Sequence, residues 1–189
     1  MKVAIISGSA RKSNNTIRVA KSIQKNFENS VLIDFQDYDF PNLSEGFLRK
    51  GSETEFQRNT IEAIRDAELL FVLTPEYNWF PSAELVSMIH QLGTNDYSEI
   101  FDKMVIASVG VSSGRGGRMP AVQLGYVFNK IFSYFNLNSI TSPRTFEAQE
   151  VLSCIDESGQ LLENEAFNQG FTSFISYSLK VAKRWHQSA

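Results

Sequence analysis

The sequence predicts an α/β fold in which a doubly wound, five-stranded parallel sheet carries helices on both faces. Two observations support this fold class. Short apolar stretches alternate five times with stretches whose apolar residues recur at helical spacing. The apolar stretches are also continuous, which is typical of strands that are buried on both faces. Because the 189 residues contain no internal repeat or linker, we predict one domain over residues 1–189.

The first strand and the first helix flank a short polar loop. Residues 2–7 are a continuous apolar run, which predicts a buried strand. Apolar residues recur at helical spacing over 17–27, and Ser13 or Asn14 is placed to cap the start of this helix. The loop between them contains one glycine, one arginine and several hydroxyl side chains.

The middle of the chain repeats the alternation of strand and helix. Residues 31–35 predict the second strand, and residues 56–67 predict the second helix. Between them, residues 36–52 are predicted to form a surface loop, and loops of this length are often functional. The third strand covers 69–74 and is expected to stop at Pro75, which has no N–H for the strand ladder.

The second half of the chain predicts a helix, a strand, a glycine-rich loop, a long helix and a short fifth strand. In that order they cover 82–92, 104–109, 110–117, 121–135 and 137–141. Residues 146–159 carry no pattern that assigns them to a helix or a strand. The last helix is predicted over 163–185.

Three unusual loops follow strands of the predicted sheet. They cover 9–16, 75–81 and 110–117, and they follow the first, third and fourth strands. In parallel α/β sheets, ligands bind beyond the carboxyl ends of the strands, near the point where the strand order reverses. We therefore expect the three loops to meet at one edge of the sheet and to form a binding site there.

Charge and composition exclude several classes of function. A formal net charge of −3 implies no broad affinity for nucleic acid or for anionic membranes. The sequence contains no apolar run of ~18 residues and no apolar leader, so we expect a cytoplasmic protein without a membrane span. The chain contains one cysteine, Cys154, and two histidines, His90 and His186. These are too few for a His/Cys zinc site, and no metal site is predicted.

The first loop has the composition of a phosphate site. Ser9, Ser13 and Thr16 offer hydroxyl donors, and Arg11 offers a charge-assisted hydrogen bond. The start of the following helix adds unpaired N–H groups and the positive end of the helix dipole. Gly8 permits a tight turn that a Cβ would hinder.

The other two loops suit a planar group. Tyr77, Trp79 and Phe80 offer an aromatic wall, and the glycines of the third loop let the backbone approach a ligand closely. A phosphorylated aromatic molecule would use all three loops; flavin mononucleotide (FMN) fits this description, whereas ATP and NAD fit it in part. Neither the G-x-G-x-x-G dinucleotide pattern nor the P-loop pattern follows the first strand.

Three motifs resemble the signatures of the NADPH-dependent FMN reductase family. They are Gly8-Ser9-Ala10-Arg11-Lys12-Ser13, Pro75-Glu76-Tyr77-Asn78 and Ser112-Ser113-Gly114-Arg115-Gly116-Gly117. The resemblance spans roughly residues 2–140. It implies a flavodoxin-like fold and an oxidoreductase that passes a hydride from NADPH or NADH through FMN to a small acceptor, such as a quinone, a flavin, an azo compound or an oxyanion.

The resemblance also implies which residues hold FMN. Ser9, Arg11, Ser13, Asn15 and Thr16 would hold the phosphate. Pro75, Glu76, Tyr77 and Asn78 would line the isoalloxazine ring, largely through the backbone. Ser112, Ser113, Gly114 and Gly117 would approach the other side of the ring and the ribityl chain. No side chain is assigned a catalytic role.

The sequence departs from the family pattern just after Asn78. Family members continue through a turn to a Leu-Lys pair and an aspartate on the next helix. Here Val86 replaces the lysine, and His90 lies near the position of the aspartate. That helix often contributes to oligomer contacts and to the substrate mouth in the family, in which a homodimer or a homotetramer is expected.

Each candidate residue also has a plainer interpretation. Ser9, Ser13 or Thr16 would cap a helix in the absence of a ligand, although capping explains one of them and not all three. Tyr77 and Trp79 are also typical of a core or a subunit contact. The glycines of the third loop are also typical of a simple turn.

Four further residues and an aromatic cluster have two interpretations. Arg115 and Arg118 are explained either as contacts to the phosphate of NADPH or as solvated charges. His90 is explained either as an ordinary helix histidine or as a substrate contact, and Cys154 is expected to be inert. Phe128, Phe132 and Phe135 are expected chiefly in the core, with a subunit interface as the alternative.

Two functions other than an enzyme remain open. A flavodoxin-like electron carrier would bind the same cofactor, but carriers are commonly more acidic than a net charge of −3. A regulatory module that binds a nucleotide is a third interpretation, and it predicts a protein without flavin absorbance.

Overall fold

A parallel β-sheet forms the centre of the protein, and helices cover both of its faces. The computed structural model describes residues 1–187; the last two residues of the predicted domain, 188–189, lie outside the described residues. The strands are β1 (Val3–Ser7), β2 (Ser30–Asp34), β3 (Leu69–Pro75), β4 (Val105–Val111), β5 (Ile140–Thr141) and β6 (Phe146–Ala148). The helices are α1 (Asn15–Gln24), α2 (Glu55–Asp66), α3 (Ala83–Leu92), α4 (Arg118–Phe135) and α5 (Glu165–Gln187).

The order of the strands is that of a doubly wound sheet. They lie in the order β2-β1-β3-β4-β5, with β6 also paired to β4, and every pair is parallel. The chain moves from β1 outward to β2 and then returns past β1 to β3. The strand order therefore reverses between β1 and β3, where a crevice opens beyond their carboxyl ends.

Strands β1, β3 and β4 are buried on both faces, as their continuous apolar runs predict. One core layer joins alternate strand residues to α2, α3 and α4. The other joins the intervening strand residues to α1 and α5. The alternation follows from the two-residue period of a strand, which sends successive side chains to opposite faces.

Strand β4 is longer than the sequence predicts. It continues through Gly110 to Val111, so the glycine-rich loop begins two residues later than expected. Gly110 pairs with Thr74 in the sheet while its Cα faces the backbone of Gly117. A Cβ on Gly110 would lie 1.7 Å from the Gly117 carbonyl oxygen, so only glycine permits this contact. Strand β3 likewise includes Pro75 as its last residue.

The fifth strand is divided into two short pieces. Both β5 and β6 pair with β4, at its beginning and its end respectively. Pro143 lies between the pieces and has no N–H to continue the ladder. Strand β6 and the 3₁₀ turn over Val151–Ser153 belong to the segment that the sequence left unassigned.

The predicted long loop before α2 is held by one buried amide. Gln91 on α3 donates from Nε2 to the carbonyl oxygens of Pro41 and Gly46, each at 3.0 Å. Its Oε1 accepts the Leu48 N–H at 2.7 Å. The loop thereby packs against α3. None of the helices within residues 1–187 combines the length and the apolar character that crossing a membrane requires.

Candidate functional site

A polar cavity of about 410 Å³ lies beyond the carboxyl ends of β1, β3 and β4. All three predicted loops contribute to its wall, because parallel strands end at the same edge of the sheet. The lining residues are Ser9, Arg11, Ser13, Asn14, Asn15, Thr16, Arg18, Pro75, Glu76, Tyr77, Val111, Ser112, Ser113 and Leu152. Of the predicted site residues, only Asn78, Gly114 and Gly117 do not line it.

The first loop is braced by the side chain of Asn14. Its Nδ2 donates to the carbonyl oxygens of Arg11, at 2.7 Å, and Ser9, at 3.3 Å. Its Oδ1 accepts the Ile17 N–H at 2.9 Å, which makes Asn14 rather than Ser13 the cap of α1. Asn14 therefore fixes both the curve of the loop and the start of the helix.

The cavity has the donors that an anion requires. The Ser9 hydroxyl is buried and has no hydrogen-bond partner within residues 1–187. Arg11 is exposed at the rim, and none of the carboxylates in the described part of the chain pairs with it. Helix α1 begins at the cavity with Asn15 and Thr16, where N–H groups lack partners within the helix. A buried donor without a partner is costly, so a ligand with oxygen acceptors fits this end of the cavity.

The second and third loops are joined by Glu76. Its backbone N–H donates to the Val111 carbonyl oxygen at 2.9 Å. Its carboxylate accepts the backbone N–H of Gly117, the residue that precedes α4. The carboxyl group of Glu76 is therefore bound to the glycine loop, and this contact holds the two walls of the cavity together.

Strand β6 and the turn after it hold the outer part of the glycine loop. The Ser112 N–H donates to the Ala148 carbonyl oxygen at 2.9 Å, and the Glu150 N–H donates to the Gly114 carbonyl oxygen at 3.0 Å. The Gly114 N–H donates to Ser112 Oγ at 3.2 Å. Gly114 and Gly117, which do not line the cavity, are thus held against Ser112 and Glu76, which do.

Sequence reasoning missed three cavity residues and the bracing role of Asn14. Arg18 lies on the first turn of the helix that follows the first loop. A cation at this spacing from the loop could have been predicted to line the cavity. Its guanidinium lies 3.1 Å from Glu157 Oε1. Val111 was assigned to the glycine loop and not to the wall. Leu152 lies in the segment without an assignable pattern, so nothing in the sequence indicated it.

The other residues with two interpretations lie outside the cavity lining. Arg115 Nε and Arg118 Nε each lie 3.9 Å from a glutamate oxygen, of Glu150 and Glu147 respectively. His90 lies beside a groove between α3 and α4. Cys154 is buried, and its Sγ accepts a hydrogen bond from Asn164 Nδ2 at 3.3 Å.

FMN matches the chemistry of the cavity. Its phosphate offers acceptors for the unpaired Ser9 hydroxyl, for Arg11 and for the N–H groups that begin α1. Tyr77 of the second loop and Ser112 and Ser113 of the third line the same cavity and would hold its planar ring. The volume of the cavity lies within the range of ~300–1,000 Å³ that is typical of small-molecule sites.

Comparisons with solved structures show the fold. FerB, a flavoenzyme NAD(P)H:(acceptor) oxidoreductase from Paracoccus denitrificans, superimposes with a TM-score of 0.75 at 17% identity, covering 97% of each chain. RosB superimposes with a TM-score of 0.70 at 12% identity, covering 99% of this chain and 81% of that one. A flavodoxin from the domain Archaea superimposes with a TM-score of 0.54 at 11% identity, covering 98% of this chain and 99% of that one. The predicted flavodoxin-like α/β fold is confirmed.

The sequence itself identifies the family. A search of curated proteins found no match. The family model of NADPH-dependent FMN reductases, in contrast, matches residues 1–146, which contain all three motifs. Because that match covers most of the chain, the protein belongs to the NADPH-dependent FMN reductase family.

Proposed function

We propose that this protein is an FMN-dependent oxidoreductase that passes a hydride from NADPH or NADH through bound FMN to a small acceptor. A quinone, a flavin, an azo compound and an oxyanion are the acceptor classes that an open flavin edge suits. The observation that carries the proposal is the buried Ser9 hydroxyl, which has no partner within residues 1–187 and lies in a cavity with an unpaired Arg11.

The proposed roles of the side chains follow from their places in the wall. Ser9, Arg11, Ser13, Asn15 and Thr16 hold the phosphate. The second loop, from Pro75 to Asn78, lies along the ring. Ser112, Ser113, Gly114 and Gly117 hold the opposite side. Asn14 and Glu76 keep these groups in place through the hydrogen bonds described above.

The protein's contribution to the reaction is binding and orientation. When bound, FMN supplies a ring that takes a hydride from the reduced nicotinamide and passes two electrons to the acceptor. With a quinone as acceptor, one NAD(P)H and one proton from solvent yield NAD(P)⁺ and the hydroquinone. No side chain has to act as a general acid or base, so the scarcity of histidine is no obstacle.

An electron carrier is the second candidate, and the likeness to an archaeal flavodoxin supports it. A carrier exchanges electrons with a protein partner, whereas a reductase oxidises free nicotinamide. Steady-state oxidation of NADPH in the presence of a quinone therefore separates the two functions. The modest net charge of −3 favours the reductase.

One experiment tests the proposed function directly. The visible spectrum of the purified protein, with FMN added in excess and removed by gel filtration, reports whether a flavin is retained. Anaerobic addition of NADPH, and of NADH in a parallel sample, then reports whether the visible absorbance of the flavin is lost. If FMN is retained but is not bleached by NADPH or NADH, the electron carrier is the function that agrees with the result. If FMN is not retained, both functions are contradicted.

We also propose that the protein forms a homodimer or a homotetramer. Met119, Tyr126 and Tyr134 recur on one side of α4 and are exposed, at 45%, 74% and 69%. The groove of about 490 Å³ between α3 and α4 adjoins two of them. Light scattering of the eluted protein measures the mass, and a monomer at micromolar concentration would contradict the proposal.

A further inference from the structure

Two exposed aromatic residues form the end of a tight hairpin beside the cavity. Tyr77 and Phe80 exchange two backbone hydrogen bonds of 3.0 Å each, which leaves only Asn78 and Trp79 in the turn. Both turn residues have positive φ angles, 51° and 72°. This geometry is that of the two-residue turns that favour Asn followed by Gly. Trp79 therefore occupies a position at which a glycine would be relaxed.

The rings of the hairpin are unpartnered. Trp79 is 69% exposed and Phe80 is 64% exposed. Within residues 1–187 neither ring contacts another aromatic ring or a cation, although the chain makes fourteen such ring pairs elsewhere. Two large rings held in water on a strained turn contribute nothing to the core. Their exposed faces are available to a ligand.

The hairpin is continuous with the cavity. Tyr77 lines the cavity and is itself 38% exposed. Residues that face each other across a hairpin project to the same side, so Phe80 lies on the same side as Tyr77. The aromatic surface thus begins in the cavity wall at Tyr77 and extends outward to Phe80 and Trp79. We name these three residues the aromatic hairpin.

We propose that the aromatic hairpin is the binding surface for a planar aromatic electron acceptor, such as a quinone. This proposal rests on the proposed function, because it assigns the acceptor class of the same site. The three residues carry no charge, and the proposed function assigns Arg11, the cation at the rim, to the phosphate, so the hairpin itself offers an oxyanion acceptor nothing to pair with. It offers a flat, apolar ligand two ring faces next to the end of the cavity that suits the cofactor ring.

Tryptophan fluorescence provides a binding readout that does not depend on turnover. The chain has two tryptophans, and Trp185 on α5 lies on the opposite side of the sheet from α3, with its indole N–H 3.3 Å from the Asn138 carbonyl oxygen. In the FMN-loaded Trp185→Phe protein, Trp79 is the only indole emitter. We expect oxidised anthraquinone-2-sulfonate to quench this emission along a saturable curve. The Phe80→Ala change in the same background should raise the dissociation constant about 2- to 12-fold, the loss expected for one stacked ring pair.

Acceptor kinetics distinguish this surface from a general effect on the enzyme. Trp79→Gly suits the positive φ angle of the turn, so the variant keeps the hairpin while removing the ring. We expect its KM for menadione to rise about 2- to 12-fold, with the KM for NADPH, the FMN affinity and the rate with ferricyanide unchanged. Ferricyanide is the matched control because it is a hydrated anion that takes one electron at a time and does not stack.

Three outcomes would overturn the proposal. Quenching that rises linearly without saturation would show only collisions with an exposed indole. An equal change for menadione and ferricyanide, or a rise in the KM for NADPH, would assign the rings to the cofactor or to the donor. A change in oligomeric mass in Trp79→Gly would make the hairpin a subunit contact. Failure to retain FMN in the unmodified protein would instead contradict the proposed function itself.

Discussion

Replacing Glu76 with alanine tests whether the cavity is held open by one hydrogen bond between its walls. The carboxylate accepts the N–H of Gly117, a buried residue whose φ angle is 97°. In the alanine variant that N–H loses its acceptor, and an unsatisfied buried donor costs about 1–3 kcal/mol. The free energy of unfolding of the FMN-free protein should fall by this amount, as measured by urea denaturation.

The same change should weaken FMN binding. The glycine loop forms one wall, so the ligand would have to order a loop that Glu76 no longer holds. If that ordering costs the same ~1–3 kcal/mol, the dissociation constant rises about 5- to 150-fold. Titration of FMN fluorescence, which is quenched when the flavin is bound beside aromatic rings, measures this constant.

Two companion variants separate the hydrogen bond from the negative charge. Glu76→Gln keeps an oxygen acceptor at the same reach, so its loss should be at most about 1 kcal/mol. Glu147→Ala removes a carboxylate 3.9 Å from Arg118, near the same end of α4, without removing an acceptor from a buried N–H. It should leave both measurements unchanged. The reasoning would be refuted if Glu76→Ala had the same stability and FMN affinity as the unmodified protein. If Glu76→Gln lowered stability and affinity as much as Glu76→Ala, the effect would be assigned to the negative charge.

Two further predictions concern the phosphate end and the long loop. Arg11→Ala should raise the FMN dissociation constant about 10- to 100-fold, because a charge-assisted hydrogen bond to the phosphate is lost. The neighbouring residue Lys12 is also exposed, and Lys12→Ala should leave the dissociation constant unchanged. Equal effects of the two variants would contradict a specific phosphate contact. The Tyr97 hydroxyl donates to Glu53 at 2.5 Å and lowers the pKa of that carboxyl. The hydrogen bond to the ionised carboxylate stabilises the folded protein fully above the unfolded pKa of ~4.3, and this stabilisation is lost as the pH falls through the lower folded pKa. Tyr97→Phe should therefore lower the free energy of unfolding by about 1 kcal/mol at pH 7, and by less below pH ~4. A cost independent of pH in urea titrations would contradict the ionic hydrogen bond.

The parts of the site that could be predicted are those set by local pattern and by sheet geometry. Continuous apolar runs locate β1, β3 and β4, and the carboxyl ends of parallel strands meet at one edge. The cap of α1 was predictable because Asn14 directly precedes the helical period. Glu76 was predictable as a wall residue, but its carboxylate binds an N–H that lies 41 residues along the chain. No local pattern encodes a partner at that separation.

The segment after residue 146 shows why the rest of the site could not be predicted. Strand β6 has three residues and no period of its own, and only its pairing with the end of β4 makes it a strand. That pairing brings the Glu150 N–H to the carbonyl oxygen of Gly114 and places Leu152 in the cavity wall. These contacts come from beyond the family match, which ends at residue 146.

The division of the site between a polar inner end and an exposed apolar rim has a functional consequence. In the proposed function, the motifs that resemble the family signatures supply the donors for a phosphate and the glycine loop. The aromatic hairpin and Leu152, in the turn after β6, are at the outer rim, where Trp79, Phe80 and Leu152 are 69%, 64% and 57% exposed. A ligand that reaches the rim after the cofactor is bound would therefore meet these exposed side chains first. If the proposed function holds, exchanging Trp79 and Phe80 should alter which acceptor is used, whereas exchanging Ser9 or Arg11 should alter whether FMN is held at all.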